Sequence, residues 1–254
     1  MGLMMDASDM DVQKTPTGYG FSNQKVELLG ASEFVIGSMV IDVTGSTSGF
    51  DNELKKIGKE VLKACLAHPK SENFLLRTTQ FNDVIDVNEL HGFLPVSNID
   101  ESIYDGLATP CGGTPLMDAT LDACEALIQF GNQLAANQYI ANAVLFVITD
   151  GGENSSMYAN IEKIKRAMGI LKSGDPLESF TAILIGVNDM YCKTTLIQFQ
   201  KDADFDDYKS IEDADPNSIA KIAKFISKSM STASLSLNGG NSKNLSNSIA
   251  SLTI

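Results

Sequence analysis

VIGSMVIDVTGSTSG, residues 35–49, is the stretch of the chain that decides its fold. Its first seven residues form a nearly continuous apolar run rich in β-branched side chains, which is typical of a strand covered on both faces. Asp42 follows directly, with hydroxyls at Thr44 and Ser46. Because ligands of open α/β sheets bind at the carboxyl ends of the strands, these three side chains are candidates for a binding site. Helix capping is the alternative, since Asp, Ser and Thr are also common between a strand and a helix.

Strands and helices alternate along the rest of the chain. Apolar runs and apolar residues at helical spacing predict elements over the ranges 50–67, 74–81, 84–87, 115–136, 143–148, 157–172, 180–187, 190–201, 207–211 and 216–230. The strands 74–81 and 84–87, joined by Asn82-Asp83, form a predicted hairpin at a sheet edge. We therefore predict an α/β, Rossmann-like fold of three layers. It has a mostly parallel central sheet with one antiparallel edge strand, and helices on both faces.

Composition divides the chain into three parts. We expect an irregular N-terminal lead-in over residues 1–33, the α/β domain over residues 34–230, and a separate C-terminal segment over residues 231–254. The last segment is rich in Ser and Asn and contains no acidic residue. It is either a floppy tail or a docking arm, because Leu245 and Ile249 have helical spacing. Such an arm orders only if it packs on a surface, either its own or a partner's.

The charge balance excludes several classes of partner. The 254 residues carry 19 Lys and Arg against 32 Asp and Glu, a formal net charge of −13. Nucleic acids and anionic membranes require a basic footprint, so neither is an expected direct partner. The four cysteines lie far apart, which fits a reducing compartment, and neither a leader peptide nor a membrane span is expected. We expect a cytoplasmic protein, with a component of a phage particle as the alternative.

Two further segments bring polar side chains to the same sheet edge. Thr114 precedes a predicted helix in the segment PCGGTPL, and Asp150 ends a predicted strand in the segment ITDGGENS. Together with Asp42, Thr44 and Ser46, they make a set of two carboxylates and three hydroxyls. Such hard oxygen atoms are the ligands that Mg²⁺ prefers. The five residues are therefore the predicted metal site.

The three motifs together resemble the von Willebrand factor A domain and its metal-ion-dependent adhesion site. That family carries Asp-x-Ser-x-Ser, a distant Thr and a distant Asp, and here Thr44 replaces the first Ser. The resemblance covers about residues 35–230 and extends to stand-alone intracellular bacterial and phage members, such as those of tellurite-resistance clusters. It implies that the five residues ligate Mg²⁺, directly or through water, with Mn²⁺ or Ca²⁺ as alternative ions.

The resemblance also implies a function in binding. The expected activity is a metal-dependent, non-enzymatic protein–protein interaction, in which an Asp or Glu of the partner completes the metal shell. An AAA+ ATPase or the neighbours in an assembly are candidate partners.

Two alternatives stay open. The first is a structural subunit of a larger assembly, a phage particle included, that uses the arm at 231–254. The second, weaker alternative is a metal-dependent hydrolase, for which the sequence near Asp42 offers no positioned base or nucleophile. A Cys111–His91 pair is the nearest candidate for such a nucleophile and base. The acidic residues between 202 and 207 lack the spacing of an EF-hand calcium loop.

Overall fold

The computed structural model describes residues 7–211, 215–239 and 245–254. Its strands are β1 (Met10–Lys14), β2 (Gly20–Gln24), β3 (Glu33–Asp42), β4 (Phe74–Asn82), β5 (Asp86–Pro95), β6 (Ile140–Thr149), β7 (Ser179–Val187) and β8 (Asp207–Ile211). Its α-helices are α1 (Asp51–Leu66), α2 (Leu116–Ala136), α3 (Ile161–Lys172), α4 (Lys193–Asp202), α5 (Pro216–Gly239) and α6 (Leu245–Ala250). No helix among these described residues is both long and apolar enough to span a membrane.

The strands form one sheet in the order β1-β2-β5-β4-β3-β6-β7-β8. The strands β4, β3, β6, β7 and β8 run parallel to one another. Antiparallel pairs occur only on one side of the sheet, between β4 and β5 and between β1 and β2, in the part of the chain described. The predicted α/β fold, with a mostly parallel sheet and helices on both faces, is confirmed.

Two apolar cores cover the two faces of the sheet, and the central strand β3 contributes to both. Phe34, Ile36 and Val40 pack in the core that holds α2, α3 and α4. Val35 and Met39 pack in the other core, with α1, α5 and α6. Successive side chains of a strand point to opposite faces, so a strand buried on both sides must be apolar at nearly every position. This is the reason for the apolar run that ends at Asp42.

The N-terminal region differs from the irregular lead-in expected over residues 1–33, and that expectation was wrong where the structure describes it. Strands β1 and β2 form an antiparallel hairpin that extends the sheet. In its turn, the Thr15 amide donates to the Tyr19 carbonyl at 2.8 Å, and Gly18 has a φ of +103° that favours glycine. The strand sequences MDVQK and GFSNQ are largely polar, so they lack the apolar alternation that would have predicted strands. Residues 1–6 lie outside the described part.

The predicted hairpin at 74–81 and 84–87 exists, but its second strand is longer and does not lie at the sheet edge. β5 continues to Pro95, with register shifts near Thr78 where it pairs with β4. β2 lies on its other side, with Asn23 opposite Phe93. Gly92 allows this approach, because a side chain there would overlap the Ser22 backbone. The sheet therefore extends two strands beyond the edge expected from the sequence.

A buried ion cluster joins the N-terminal hairpin to the rest of the domain. The side chain of Arg77 is fully buried, and its Nε donates to Glu89 at 2.7 Å and its Nη2 to Asp122 at 3.1 Å. Asp122 also accepts from the Thr15 hydroxyl, and Glu89 accepts from the Ser22 hydroxyl. A buried charge must be paired and hydrogen-bonded, and here the hairpin supplies part of that bonding. The hairpin is therefore part of the packed domain.

The C-terminal segment also differs from the predicted boundary at residue 230. Helix α5 continues without interruption to Gly239, and α6 follows after residues 240–244, which lie outside the described part. Asn142 of β6 donates to the Ala233 carbonyl at 2.9 Å, and Leu245 and Ile249 are buried in the domain's own core. The described portion of 231–254 is therefore not a floppy tail, because Ala233, Leu245 and Ile249 pack in the core of the protein itself.

Truncation of the arm's buried side chain tests this packing. Ile249→Ala should lower the free energy of unfolding by about 3 kcal/mol, because the removed atoms leave a cavity in the core. Leu235→Ala is the matched control in the same segment, with a side chain 70% exposed, and should change stability by less than about 0.5 kcal/mol. Urea unfolding followed by circular dichroism measures both. Equal, near-zero effects of the two substitutions would contradict the packing.

Candidate functional site

The strand register brings three loops together at the carboxyl edge of the sheet. Ile41 of β3 lies opposite Ile148 of β6, so the residues that follow each of them leave the sheet side by side. Phe81 of β4 lies opposite Asp42 on the other flank. Parallel strands all present their carboxyl ends on one side, which is where open α/β sheets place their ligands. Asp42 and Asp150 therefore meet because the strands that carry them are neighbours, whereas Thr114 lies in the loop that precedes α2.

Asp42 is the most buried carboxylate of the group, with no exposed surface. One of its carboxylate oxygens, Oδ1, accepts a hydrogen bond from the Thr44 amide at 2.8 Å. The other, Oδ2, accepts one from the Thr149 hydroxyl at 2.5 Å. The Thr149 hydroxyl in turn accepts from the Gly151 amide, which fixes its orientation toward the carboxylate. Thr149 was not among the predicted site residues, although it directly precedes Asp150 in the sequence.

A chain of hydroxyls connects the first loop to the second carboxylate. The hydroxyl oxygens of Thr44 and Ser46 lie 3.2 Å apart. The Ser46 hydroxyl donates to Asp150 Oδ1 at 2.7 Å. Ser46 is exposed, whereas Thr44 and Asp150 are buried, so the group opens to solvent on the Ser46 side. No side chain caps the start of α1. The hydroxyls of this loop therefore face one another and the carboxylates, and the helix-capping alternative does not apply to α1.

Thr114 completes the predicted set from the third loop. A Cβ placed on Gly151 would lie 3.4 Å from Ser46 Oγ and 3.6 Å from Thr114 Oγ1. The two hydroxyls therefore border the same small space, which a side chain at position 151 would partly fill. The Gly45 amide donates to the Gly112 carbonyl at 3.0 Å, which holds the first and third loops against each other.

The loop after β6 is held in place by two acidic residues that the sequence analysis did not identify. Asp118, in the first turn of α2, accepts backbone hydrogen bonds from the amides of residues 157, 158 and 159. Glu153 accepts from the amide of Met117 and from three donors of residues 155 and 156. Asn154 accepts from the Thr114 amide at 2.7 Å. An acidic residue in a helix's first turn is an ordinary dipole-favoured choice, so only the fold reveals these roles.

The site carries negative charge that no described residue neutralises. Neither Asp42 nor Asp150 forms an ion pair with a residue in the described ranges. Burial raises the pKa of Asp42 to about 7, against the lowering effect of its hydrogen bonds to Thr149 and Thr44, and Asp150 raises it further. Burial also raises the pKa of Asp150, although the Ser46 hydroxyl opposes this. A cation at this edge would remove the cost of both charges.

The structure brings together all five predicted residues, Asp42, Thr44, Ser46, Thr114 and Asp150. The described residues contain no cluster of three or more His, Cys, Asp or Glu side chains with the geometry of a metal site. The donor set here is instead two carboxylates with three hydroxyls. Such a set resembles the oxygen coordination of Mg²⁺ more than the nitrogen and sulfur coordination of zinc.

His91 and Cys111, the weaker candidates, have hydrogen-bond partners outside the five-residue set. Both ring nitrogens of His91 lie within hydrogen-bond distance of other groups, the Gly92 carbonyl and the Tyr104 hydroxyl. His91 is also buried, and burial lowers its pKa to about 4. Cys111 is exposed, and its sulfur lies 3.5 Å from the amide nitrogen of Asn82. Both ring nitrogens of His91 are thus engaged by groups other than Cys111.

Comparison with known proteins identifies the fold but not a family. No model of a protein family matches the chain, and no curated protein sequence matches it. The pilus adhesin SpaC from Lactobacillus rhamnosus GG matches with a TM-score of 0.58 and 12% identity, over 90% of this chain and 35% of that one. The vWF domain of the type V pili tip protein Mfa5 from Porphyromonas gingivalis matches with a TM-score of 0.52 and 14% identity, over 80% of this chain and 96% of that one.

Two further solved structures extend this comparison. The D319A mutant of the PilB minor pilin from Streptococcus sanguinis has a TM-score of 0.52 and 11% identity, over 86% of this chain and 67% of that one. Proximal thread matrix protein 1 from the mussel byssus has a TM-score of 0.52 and 15% identity, over 78% of this chain and 46% of that one. The chain spans about a third of the length of SpaC. At such identities the likeness establishes a shared fold alone.

These comparisons correct the family assignment made from the sequence. Membership of the von Willebrand factor A family with its adhesion site, in the manner of stand-alone intracellular bacterial and phage members, was wrong. No family model matches, and the matching structures named above are pilus proteins and a byssus protein. The physical reason is that any sheet of this topology brings several strand-end loops to one edge, where polar residues common in loops come close together. Short motifs at strand ends therefore report the fold more than the family.

The raised pKa of Asp42 predicts how stability depends on pH in the absence of divalent metal. Because the folded state holds the proton up to about pH 7 and the unfolded chain only to about pH 4, ionisation of Asp42 destabilises the fold progressively between these values. Asp42→Asn removes this cost and should stabilise the protein at pH 8 in EDTA by about 4 kcal/mol, at about 1.4 kcal/mol for each pH unit between these values. The gain should vanish near pH 4, as measured by urea unfolding at each pH.

The matched control is Asp105→Asn, whose carboxylate is exposed in a surface pair with Lys59. It should shift stability by less than about 0.5 kcal/mol at either pH. An Asp42→Asn variant that is less stable than the parent protein at pH 8 in EDTA would contradict the prediction.

Proposed function

We propose that this protein is a non-catalytic protein-binding module that holds a divalent cation, Mg²⁺ foremost, at the carboxyl edge of its sheet. The cation would present a positive site to a carboxylate of the partner. The observation that carries the proposal is the joined set of two buried carboxylates and three hydroxyls, which has no counter-charge among the described residues. A net charge of −13 makes such a cation the natural means of binding an acidic partner.

The residues fit a cation of this kind. Asp42 and Asp150 would supply the charge, and Thr44, Ser46 and Thr114 would supply neutral oxygen atoms, directly or through water. Two carboxylates balance a divalent ion without a negative excess, so a carboxylate of the partner would meet no net repulsion and could take an open position of the ion's shell. The protein's own task is to hold these oxygens in place, which it does through Thr149 on Asp42 and through Asn154 on the Thr114 backbone.

Binding is favoured over catalysis by what surrounds the set. Among the described residues, Asp42 and Asp150 contact hydroxyls and backbone amides, and no histidine or cysteine hydrogen-bonds to them. The Cys111–His91 hypothesis loses its support because His91 is engaged with Gly92 and Tyr104. A hydrolase would need a base within hydrogen-bond reach of the reacting water.

The shared fold adds support for a role in interactions. SpaC is a pilus adhesin and Mfa5 a pili tip protein, so this fold occurs in proteins of attachment. The alternative of an assembly subunit that docks through its C-terminal arm has less support. The apolar residues Leu245 and Ile249, which would have met a partner, are buried in the protein's own core.

Metal binding is tested at Ser46, whose exposed hydroxyl can be removed with little effect on packing. Mg²⁺ should raise the melting temperature of the parent protein relative to EDTA. Ser46→Ala should weaken Mg²⁺ binding about tenfold, equivalent to about 1.4 kcal/mol. Ser48→Ala, two residues further along and also exposed, is the matched control and should bind as the parent does. Calorimetric titration with Mg²⁺, Mn²⁺ and Ca²⁺ measures the affinities, and equal losses in both variants would count against the site.

Partner binding is tested by selection from a surface-displayed peptide library in Mg²⁺, followed by elution with EDTA. The eluted peptides should share an Asp or Glu, and its replacement by Asn or Gln should abolish capture. Ser46→Ala should capture these peptides poorly, and Ser48→Ala normally. Peptides that remain bound in EDTA, or that lack any essential carboxylate, would overturn the proposal while leaving metal binding itself intact.

A further inference from the structure

A second concave site lies away from the carboxyl-edge set. A groove of about 650 Å³ runs between α2, α3 and the turn that joins β1 to β2. Its volume falls within the range of small-molecule sites, roughly 300 to 1,000 Å³. None of the five carboxyl-edge residues lines it. An occupant of this groove would therefore be bound by different side chains.

The wall of the groove is largely apolar and partly open to solvent. Leu121 and Ile128 line it from α2, and Ile170 lines it from α3. Met157 and Tyr158 line it from the loop before α3, and these two side chains are 74% and 50% exposed. Exposed apolar side chains gathered around one concavity mark a binding surface, whereas scattered ones need no explanation.

The polar side chains of the groove differ in how far they are already engaged. Glu125 accepts two hydrogen bonds from Thr17, and the Gln129 amide donates to the Lys14 carbonyl. Lys163 donates one hydrogen bond to the Tyr158 carbonyl. Arg166, by contrast, has no hydrogen bond or ion pair with any residue in the described ranges. Arg166 and Lys163 therefore supply the cationic donors of the groove, and the guanidinium of Arg166 is free of hydrogen bonds to the described residues.

Arg166 is the one arginine of this chain whose side chain is not buried in an ion cluster. The sequence contains two arginines, and the other, Arg77, is fully buried in its ion cluster. Charges on the rest of the surface are screened beyond about 8 Å at physiological ionic strength. Among the residues that line the groove, Arg166 and Lys163 are cationic and Glu125 alone is acidic. The lining therefore carries one net positive charge, which favours an anion, despite the net charge of −13 for the whole chain.

We propose that this groove binds an organic carboxylate with an apolar body, with the body against Leu121, Ile128 and Ile170 and the carboxylate on Arg166. A guanidinium forms paired hydrogen bonds with a carboxylate, which a neutral head group of the same length cannot match. The site requires no metal and makes no use of the carboxyl-edge residues. The proposal for the groove can therefore fail while the proposed function holds, and the reverse is also true.

Calorimetric titration of the full chain with sodium octanoate tests the proposal, with 1-octanol as the neutral ligand and butanoate as the short one. Octanoate should bind at least tenfold more tightly than either. Arg166→Gln should weaken octanoate about tenfold and leave 1-octanol unchanged. Lys165→Gln, exposed on the same helix but outside the groove, is the matched control and should bind octanoate as the parent does.

Methyl NMR locates the ligand, with signals of Met157 and Ile170 expected to shift on octanoate binding. Equal affinity for 1-octanol and octanoate, or equal affinity of Arg166→Gln and Lys165→Gln, would overturn the proposal. Shifts confined to methyl groups outside the groove would overturn it as well. So would sedimentation that shows a dimer dispersed by Met157→Glu, since a second copy would then occupy the groove.

Discussion

The parallel pairing of β3 with β6 is the constraint on which the rest of this structure depends. It places Ile41 beside Ile148, and so commits the two strands to release Asp42 and Asp150 at the same edge. Burial raises the pKa of both carboxylates, and the charge of Asp150 raises the pKa of Asp42 further. The surrounding loops donate hydrogen bonds to them from hydroxyls and a backbone amide. Without such bonds, burial of a carboxylate would lower the stability of the fold by several kcal/mol.

The loops at this edge are held by carboxylates of a different kind. Asp118 accepts backbone hydrogen bonds from the loop after β6, and Glu153 accepts them from that loop and from Met117 of α2. Their charges therefore hold the shape of the chain. Asp42 and Asp150 accept fewer hydrogen bonds and lie toward the exposed Ser46. This contrast separates the structural acids from those available to a ligand. The four side chains are all carboxylates, so the difference between them lies in their surroundings and not in their residue type.

The loop of residues 150–160 connects the two surfaces proposed for binding. It begins at Asp150 in the carboxyl-edge set and leads to Met157 and Tyr158 on the groove. Asp118 fixes its middle against the first turn of α2, which itself follows Thr114 closely. The two surfaces differ in chemistry, one rich in neutral and anionic oxygens and the other apolar with cationic donors. A single acidic chain can therefore offer a site for cations and a separate site for anions.

The α/β class could be predicted from the amino-acid pattern alone, because a strand buried on both faces needs an apolar run such as the one that ends at Asp42. The sequence also predicted that Asp42, Thr44, Ser46 and Asp150 share an edge, since the carboxyl ends of parallel strands lie on one side of the sheet. Thr114 precedes a helix, and the hydrogen bond from Gly45 to Gly112 holds its loop against theirs. Only the tertiary structure revealed the polar hairpin β1–β2, which has no apolar period and depends on Arg77 and Glu89 for its place. The tertiary structure alone also showed that Thr149 orients Asp42 and that Ile249 is buried in the core. Contacts between residues far apart in the sequence leave no local pattern from which they could be predicted.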